Sequence, residues 1–198
     1  ELQENLVIFE AAEGFSARWV ESTELYEVEP RTAPGAIRGL YTYGNAALDS
    51  YLYTVALSRA AERLGATVRL GEARDVSSSG GRVTAVRLEN DEIACDAVVL
   101  AAGPWSAQAE HWLGAPIPVE PLKGEILRMM LPGPALLHDF AGAGGSVAPK
   151  PDGLVWLGGT QEWSGFDRKP SESARSSIQQ GAIRLMPTMV DATLVKQT

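Results

Sequence analysis

Few side chains in this chain have the type and spacing that chemistry demands. The only cysteine is Cys95, and the two histidines, His111 and His138, stand far from it in sequence. A thiolate nucleophile needs a base or cation beside it, and nothing in the local sequence supplies one. One Cys and two scattered His make no metal site either, since neither H-x-x-x-H nor C-x-x-C spacing occurs. Ser106 has no partner His in a hydrolase motif. Neither G-x-G-x-x-G nor G-x-x-x-x-G-K-[ST] is present, and Gly142-Ala143-Gly144-Gly145 is not followed by a helix-opening pattern, so it reads as a loop. The polar groups Ser146, Thr160, Gln161 and Glu162 converge on one hairpin and the loop after it. Trp105, Trp156 and Trp163 are aromatics able to stack on a ligand ring or to fill core. Lys123 reads as a solvated strand charge. No general base emerges.

The segment that promises a site without a reactive side chain is Val98-Val99-Leu100-Ala101-Ala102-Gly103-Pro104-Trp105-Ser106. Its apolar run predicts a buried parallel strand, with a helical pattern from Trp105 to about Leu113. Small residues and Gly at the strand end let backbone approach a ligand, and ligands in open α/β sheets sit off the carboxyl ends of strands. An ordinary strand-to-helix turn explains the same residues, and both readings stand at this level.

The elements that would position these groups are predicted as follows. A helix covers Leu2, Leu6 and Phe9 and stops at Gly14. A strand lies over residues 15–20, a helix over 22–28, and a strand over 40–43. Asp49 caps a helix carrying Leu52, Val55, Ala56, Ala60 and Leu64, ended by Gly65. Strands are expected at 66–70, around 73–76 and through 83–88, with a turn cluster at 77–81. Beyond Gly114, Pro116, Pro118 and Pro121 punctuate an edge-like strand running on to Met129. A hairpin then turns at Pro151-Asp152-Gly153, a helix covers 171–186, and a strand opens at 192–195. Helix and strands around the apolar run suggest part of a nucleotide-binding α/β domain, and the later strands an α+β antiparallel sheet.

Composition narrows the function classes. A net charge of -8 argues against nucleic acid and anionic membrane surfaces as partners. No apolar run approaches a membrane span, and a lone cysteine points to a reducing, cytoplasmic compartment. The chain begins at Glu1 within a helical pattern and stops at Thr198 within a strand-like one. The expectation is therefore a piece of a larger protein.

In order along the chain stand residues 98–106, Pro118-x-x-Pro121-x-Lys123-Gly124-Glu125, Val147-Ala148-Pro149-Lys150-x-Asp152-Gly153, Gly158-Gly159-Thr160-Gln161 and Gly165-Phe166-Asp167. With Glu29-Pro30 and the helix end Ala60-Ala61-x-x-Leu64-Gly65-Ala66, this series resembles the D-amino-acid oxidase superfamily of flavoproteins. The glycine oxidase and sarcosine oxidase branches look most similar. The resemblance implies an α/β plus α+β fold, in which part of a Rossmann-like FAD domain is interleaved with an antiparallel-sheet substrate domain. Residues 1–43 and 115–198 would belong to the substrate domain and 44–114 to the FAD domain. It implies FAD as cofactor, with Ala101, Ala102, Gly103 and Trp105 beside it and Ala73 near the adenine. It implies Ser146, where those branches place a tyrosine, and Gln161 as substrate contacts, and no metal. The superfamily's G-x-G-x-x-G would precede Glu1 and its G-x-R-P arginine would follow Thr198, so this piece alone is expected to hold FAD poorly. The implied activity of the whole protein is oxidation of an amine or amino acid by hydride transfer to flavin. A small-molecule substrate and a homo-oligomer are the expected partners. The alternatives are a 2-hydroxy-acid or glycerol-phosphate dehydrogenase of the same superfamily, or a non-catalytic α+β binding module.

Overall fold

The computed structural model describes residues 2–46, 48–142 and 144–198. They form two compact units that alternate along the chain. One holds residues 1–47, 123–162 and 167–198, and the other holds 48–122 and 163–166. No helix among the described residues is long and apolar enough to cross a membrane.

The first unit opens with α1 (Leu2–Ala11), β1 (Ser16–Glu21), α2 (Ser22–Val28) and β2 (Arg38–Tyr43). β1 and β2 pair antiparallel, with Trp19 opposite Leu40. The main body is an antiparallel sheet of β6 (Ile126–Met130), β7 (Phe140–Gly142), β8 (Gly145–Pro149), β9 (Val155–Gly158) and β10 (Thr193–Gln197), in the order β10-β6-β9-β8-β7. β6 is thus an inner strand and shorter than expected. The prolines at 116, 118 and 121 all lie before it, which leaves every N–H of Ile126–Met130 free to join the ladder.

One face of this sheet packs on α5 (Glu172–Leu185). Period-2 alternation sends Leu127, Met129, Val147, Val155 and Leu157 to that face, where they meet Ile178, Ala182, Met186 and Met189. Burying a side chain such as Leu127 or Ile178 stabilises the unit by about 1.5–3 kcal/mol. Ser171 caps the helix, its Oγ accepting the Ala174 N–H at 3.1 Å, a contact worth about 1 kcal/mol. The helix and hairpin approach closely at glycines. A Cβ on Gly181 would overlap the carbonyl oxygen of Gly144, and one on Gly142 would stand 2.7 Å from Leu185.

In the second unit, α3 (Ser50–Arg63) starts where the Asp49 carboxylate accepts the Leu52 N–H at 2.9 Å. It stops at Gly65, whose φ of +98° suits only glycine without strain. An antiparallel sheet follows in the order β3 (Ala73–Ser79), β4 (Arg82–Leu88), β5 (Glu92–Ala94). The expected turn cluster at 77–81 shrinks to Gly80-Gly81, because Ser77, Ser78 and Ser79 pair with β4.

Two expected strands are not formed. Residues 66–70 and 97–102 have extended apolar sequence but no ladder partner among the described residues. Leu70 is fully exposed, Val99 is 89% exposed, and Leu52 and Leu57 on α3 and Leu64 just beyond it are also bare. A parallel strand is made by its neighbours, and an apolar run cannot supply them. A 3-10 helix, Gly103–Ala109, and the short α4 (Glu110–Leu113) follow the second run.

Candidate functional site

Ser146 stands on the sheet face turned away from α5. Its register partner is Gly158 on β9, and a Cβ built on Gly158 would lie 3.0 Å from Ser146 Oγ and 4.0 Å from Ile126. Ser146, Gly158 and Ile126 therefore share that face. Only a glycine leaves the Ser146 hydroxyl unblocked from across the strand.

Gln161 lies three residues beyond Gly158 and is exposed. Its neighbours are not free to bind anything. Thr160 Oγ1 accepts the Glu125 N–H at 3.1 Å, and the Thr160 N–H reaches the Glu125 carbonyl. Glu162 exchanges both backbone hydrogen bonds with Lys123, at 3.0 and 2.8 Å. Of the four converging polar residues read from sequence, Thr160 and Glu162 thus hold the loop in place, while the Ser146 and Gln161 side chains have no hydrogen-bond partner among the described residues.

Lys123 is not a solvated charge. Its Nζ lies 3.0 Å from Glu125 Oε1 and donates to the Lys169 carbonyl at 2.6 Å. The Glu125 carboxylate is 1% exposed and also accepts from Gln197 Nε2 at 2.6 Å and from the Ser171 N–H at 3.1 Å. Burial pushes its pKa up, but the bonds from Lys123, Gln197 and Ser171 outweigh that and hold it below the ordinary carboxylate value. The Lys123-Gly124-Glu125 tripeptide consequently grips both ends of the loop that carries Gln161.

The second unit holds the other expected residues. Ala73 begins β3, an edge strand, opposite Leu88. Ala101 and Ala102 are exposed, and Gly103 takes φ +52° with nothing within 4 Å of where its Cβ would stand. The backbone of residues 98–101 makes no hydrogen bond among the described residues. Trp105 is half exposed and stacks on Phe166, centroids 5.4 Å apart and planes 26° from parallel. Free backbone groups beside an aromatic pair suit a flat, polar-edged ring system, which fits a flavin. Residues 98–105 carry no charged side chain.

A surface cavity of about 700 Å³ lies on the same unit, lined by Arg74, Arg87, Leu88, Glu89, Asp91 and Glu92. Three of its charged residues are ion-paired, Arg74 with Glu72, Arg87 with Asp75 and Asp91 with Arg69, each at 2.7 Å. It contains none of the candidate residues.

Sequence reasoning passed over one feature of the sheet. Arg128 faces outward beside Ser146's row, with its guanidinium carbon 4.4 Å from the Trp156 ring centroid. The available signal was the alternation Ile126-Leu127-Arg128-Met129, which puts Arg128 opposite the core face.

An antiparallel sheet backed by one helix thus alternates along the chain with a unit that bears an unpaired extended apolar segment and a glycine turn. The family model described as "FAD dependent oxidoreductase" (DAO) matches residues 1–197, and the chain belongs to that family. Glycine oxidase of Pseudomonas putida is 31% identical over 179 residues, covering 89% of this chain and 49% of that protein. The crystal structure of glycine oxidase from Geobacillus kaustophilus superposes with a TM-score of 0.88 at 26% identity, over 99% of this chain and 53% of that one. Iminodiacetate oxidase from Chelativorans sp. BNC1 superposes at 0.84, also at 26% identity, over 96% and 52%. The chain spans about half the length of the relatives it matches.

Proposed function

We propose that the whole protein is an FAD-dependent oxidoreductase acting on an amine or amino acid. Residues 44–114 would belong to its FAD domain, and 1–43 and 115–198 to its substrate domain. The observation that carries this reading is that the family likeness runs through residues 1–197, across both units. The glycine oxidase and iminodiacetate oxidase relatives both take small amino acids by name, which favours the amine reading over a hydroxy-acid dehydrogenase.

When bound, FAD supplies the hydride acceptor for oxidation of the substrate C–H beside nitrogen. The residues of this chain serve binding and orientation. Backbone atoms of Ala101, Ala102 and Gly103 would hold the ring system together with Trp105, and Ala73 would contribute to holding the adenine part. The Ser146 hydroxyl would hydrogen-bond the substrate, and the Gln161 amide would contact it from a loop fixed by Lys123 and Glu125. Where glycine oxidases place a tyrosine, Ser146 makes this wall shorter and more polar, which favours substrates larger than glycine. The imine product hydrolyses in water after release. Residues 1–198 alone would retain little FAD, because they contain no glycine-rich phosphate loop. A cytoplasmic location and a homo-oligomeric whole protein complete the proposal.

The test is direct. The whole gene product, purified without added cofactor, is expected to be yellow and to bleach anaerobically with an amino acid. A colourless protein that takes up no added FAD would overturn the reading.

A further inference from the structure

We propose that the outward face of the five-stranded sheet carries an anion site, formed by Arg128 and Lys150 around Trp156, that accepts a second carboxylate on the substrate. This rests on the amine oxidoreductase reading and narrows it to amino acids with a distal acidic group.

Register fixes the placement. Lys196, Arg128, Trp156 and Ala148 lie opposite one another across β10, β6, β9 and β8. The adjacent row on the same face is Ile126, Gly158 and Ser146. Lys150 sits two residues beyond Ala148, so it shares the face, and its Nζ is 5.1 Å from the Trp156 ring centroid. Arg128 is 4.4 Å from the same centroid. Both cations therefore stand against one indole, from the strands on either side of it.

Three observations point to a missing anion. Arg128, Lys150 and Lys196 lie together on one sheet face and, as is also true of Arg38, Arg59 and Arg82, have no ion pair or side-chain hydrogen bond among the described residues. This occurs in a chain of net charge -8, where acidic partners are plentiful. Second, Arg128 Nε and Trp156 Nε1 are buried and lack an acceptor. Guanidinium and indole N–H groups donate only, and a buried donor left unpaired is unfavourable. Third, two like charges share one ring with no counter-ion, a repulsion that a bound carboxylate relieves. Stacking on the indole fixes the plane of the guanidinium, a group whose fork of N–H donors matches a carboxylate.

Ser146 and Trp156 are diagonal neighbours on adjacent strands, roughly 7 Å apart. A short aliphatic linker spans that distance. The Arg128 guanidinium reaches over that indole from the next strand, so a molecule whose reacting end lies at Ser146 can direct a distal carboxylate toward Arg128, which takes no part in the oxidation.

The test compares glutamate with glutamine, in both enantiomers, on the flavin-loaded whole protein. The expected result is a preference in kcat/KM for glutamate on the order of tenfold at low salt, falling as ionic strength rises. R128L should collapse that ratio to near one and R128K should keep part of it. K150Q should reduce it independently, which guards against an R128L variant that folds poorly. Calorimetric titration supplies a readout apart from turnover. Glutarate should bind the wild type and not R128L, and butyrate should bind neither. Turnover of glutamine as fast as glutamate, or glutarate binding unchanged in R128L, overturns the anion site while leaving the oxidoreductase reading intact. Glutarate binding without turnover of any amine overturns the oxidoreductase reading instead.

Discussion

Glu125 and Ser171 are 46 residues apart in sequence, yet the buried Glu125 carboxylate accepts the Ser171 backbone N–H at 3.1 Å. The contact joins the start of β6 to the first turn of α5. Gln197 reaches the same carboxylate from β10 and also donates to the Ser171 carbonyl at 2.7 Å. One side chain thus ties together three elements around the loop that presents Gln161.

Removing that side chain leaves three donors facing a hole. Glu125→Ala is expected to destabilise the first unit by on the order of 2–3 kcal/mol, read as a lower denaturant midpoint by tryptophan fluorescence. Glu125→Gln keeps the volume and one acceptor and should lose less. Equal stability for the alanine variant and wild type would show that the cluster is ornamental.

The acid response follows from the direction of two pKa shifts. Arg31 donates to Glu29 through Nε at 2.6 Å and through a terminal nitrogen at 2.8 Å, and it also reaches the Pro134 carbonyl at 2.7 Å. Chiefly through that guanidinium, Glu29 is held below the ordinary carboxylate value, as Glu125 is by its own partners. A depressed folded pKa means that the unfolded chain takes up protons first. The stabilisation is therefore complete above the unfolded value, about 4.3, and is lost as pH falls through the folded values. Stability should be level from pH 8 to 6 and should drop below about pH 4. Glu29→Gln should start lower and fall less steeply, and an identical acid slope in the variant would exclude this pair as its source.

Gly181 sets two opposing effects against each other. Alanine is the better helix former by up to about 1 kcal/mol, but its Cβ would overlap the Gly144 carbonyl, a backbone atom that cannot swing aside. The overlap should win, with a net loss of about 1–3 kcal/mol. Gln180→Ala on the same helix serves as the propensity control, and a more stable Gly181→Ala would mean that helix and hairpin separate more easily than their packing implies.

What the sequence made legible was local. Asp49 declares its helix because a cap and its N–H donor are three residues apart. The hairpin at Pro151-Asp152-Gly153 declares itself by turn chemistry, and the Lys150 N–H meets the Leu154 carbonyl at 2.9 Å as expected. The misread features depend on distant partners. Lys123 looked solvated because its carboxylate partner is buried by elements far along the chain. Arg128 attracted no notice because its significance lies in Trp156, across a strand pair that sequence does not announce. Residues 66–70 and 98–102 have strand composition, but pairing needs a neighbour as well as a propensity.

Those unpaired runs make the last prediction. Val99 is 89% exposed, so Val99→Asp in the 198-residue chain should change stability by less than about 0.5 kcal/mol. In the whole protein the same residue is expected inside a parallel sheet, where an unpaired buried carboxylate is prohibitive. The variant should there lose bound flavin, measured as the ratio of visible to protein absorbance. A harmless substitution in the short chain and a damaging one in the long chain would mark residues 98–102 as a strand whose partners lie elsewhere in the protein. Full flavin content in the long variant would mean that the run stays at the surface, and the backbone of Ala101, Ala102 and Gly103 would then no longer be a credible wall for the cofactor.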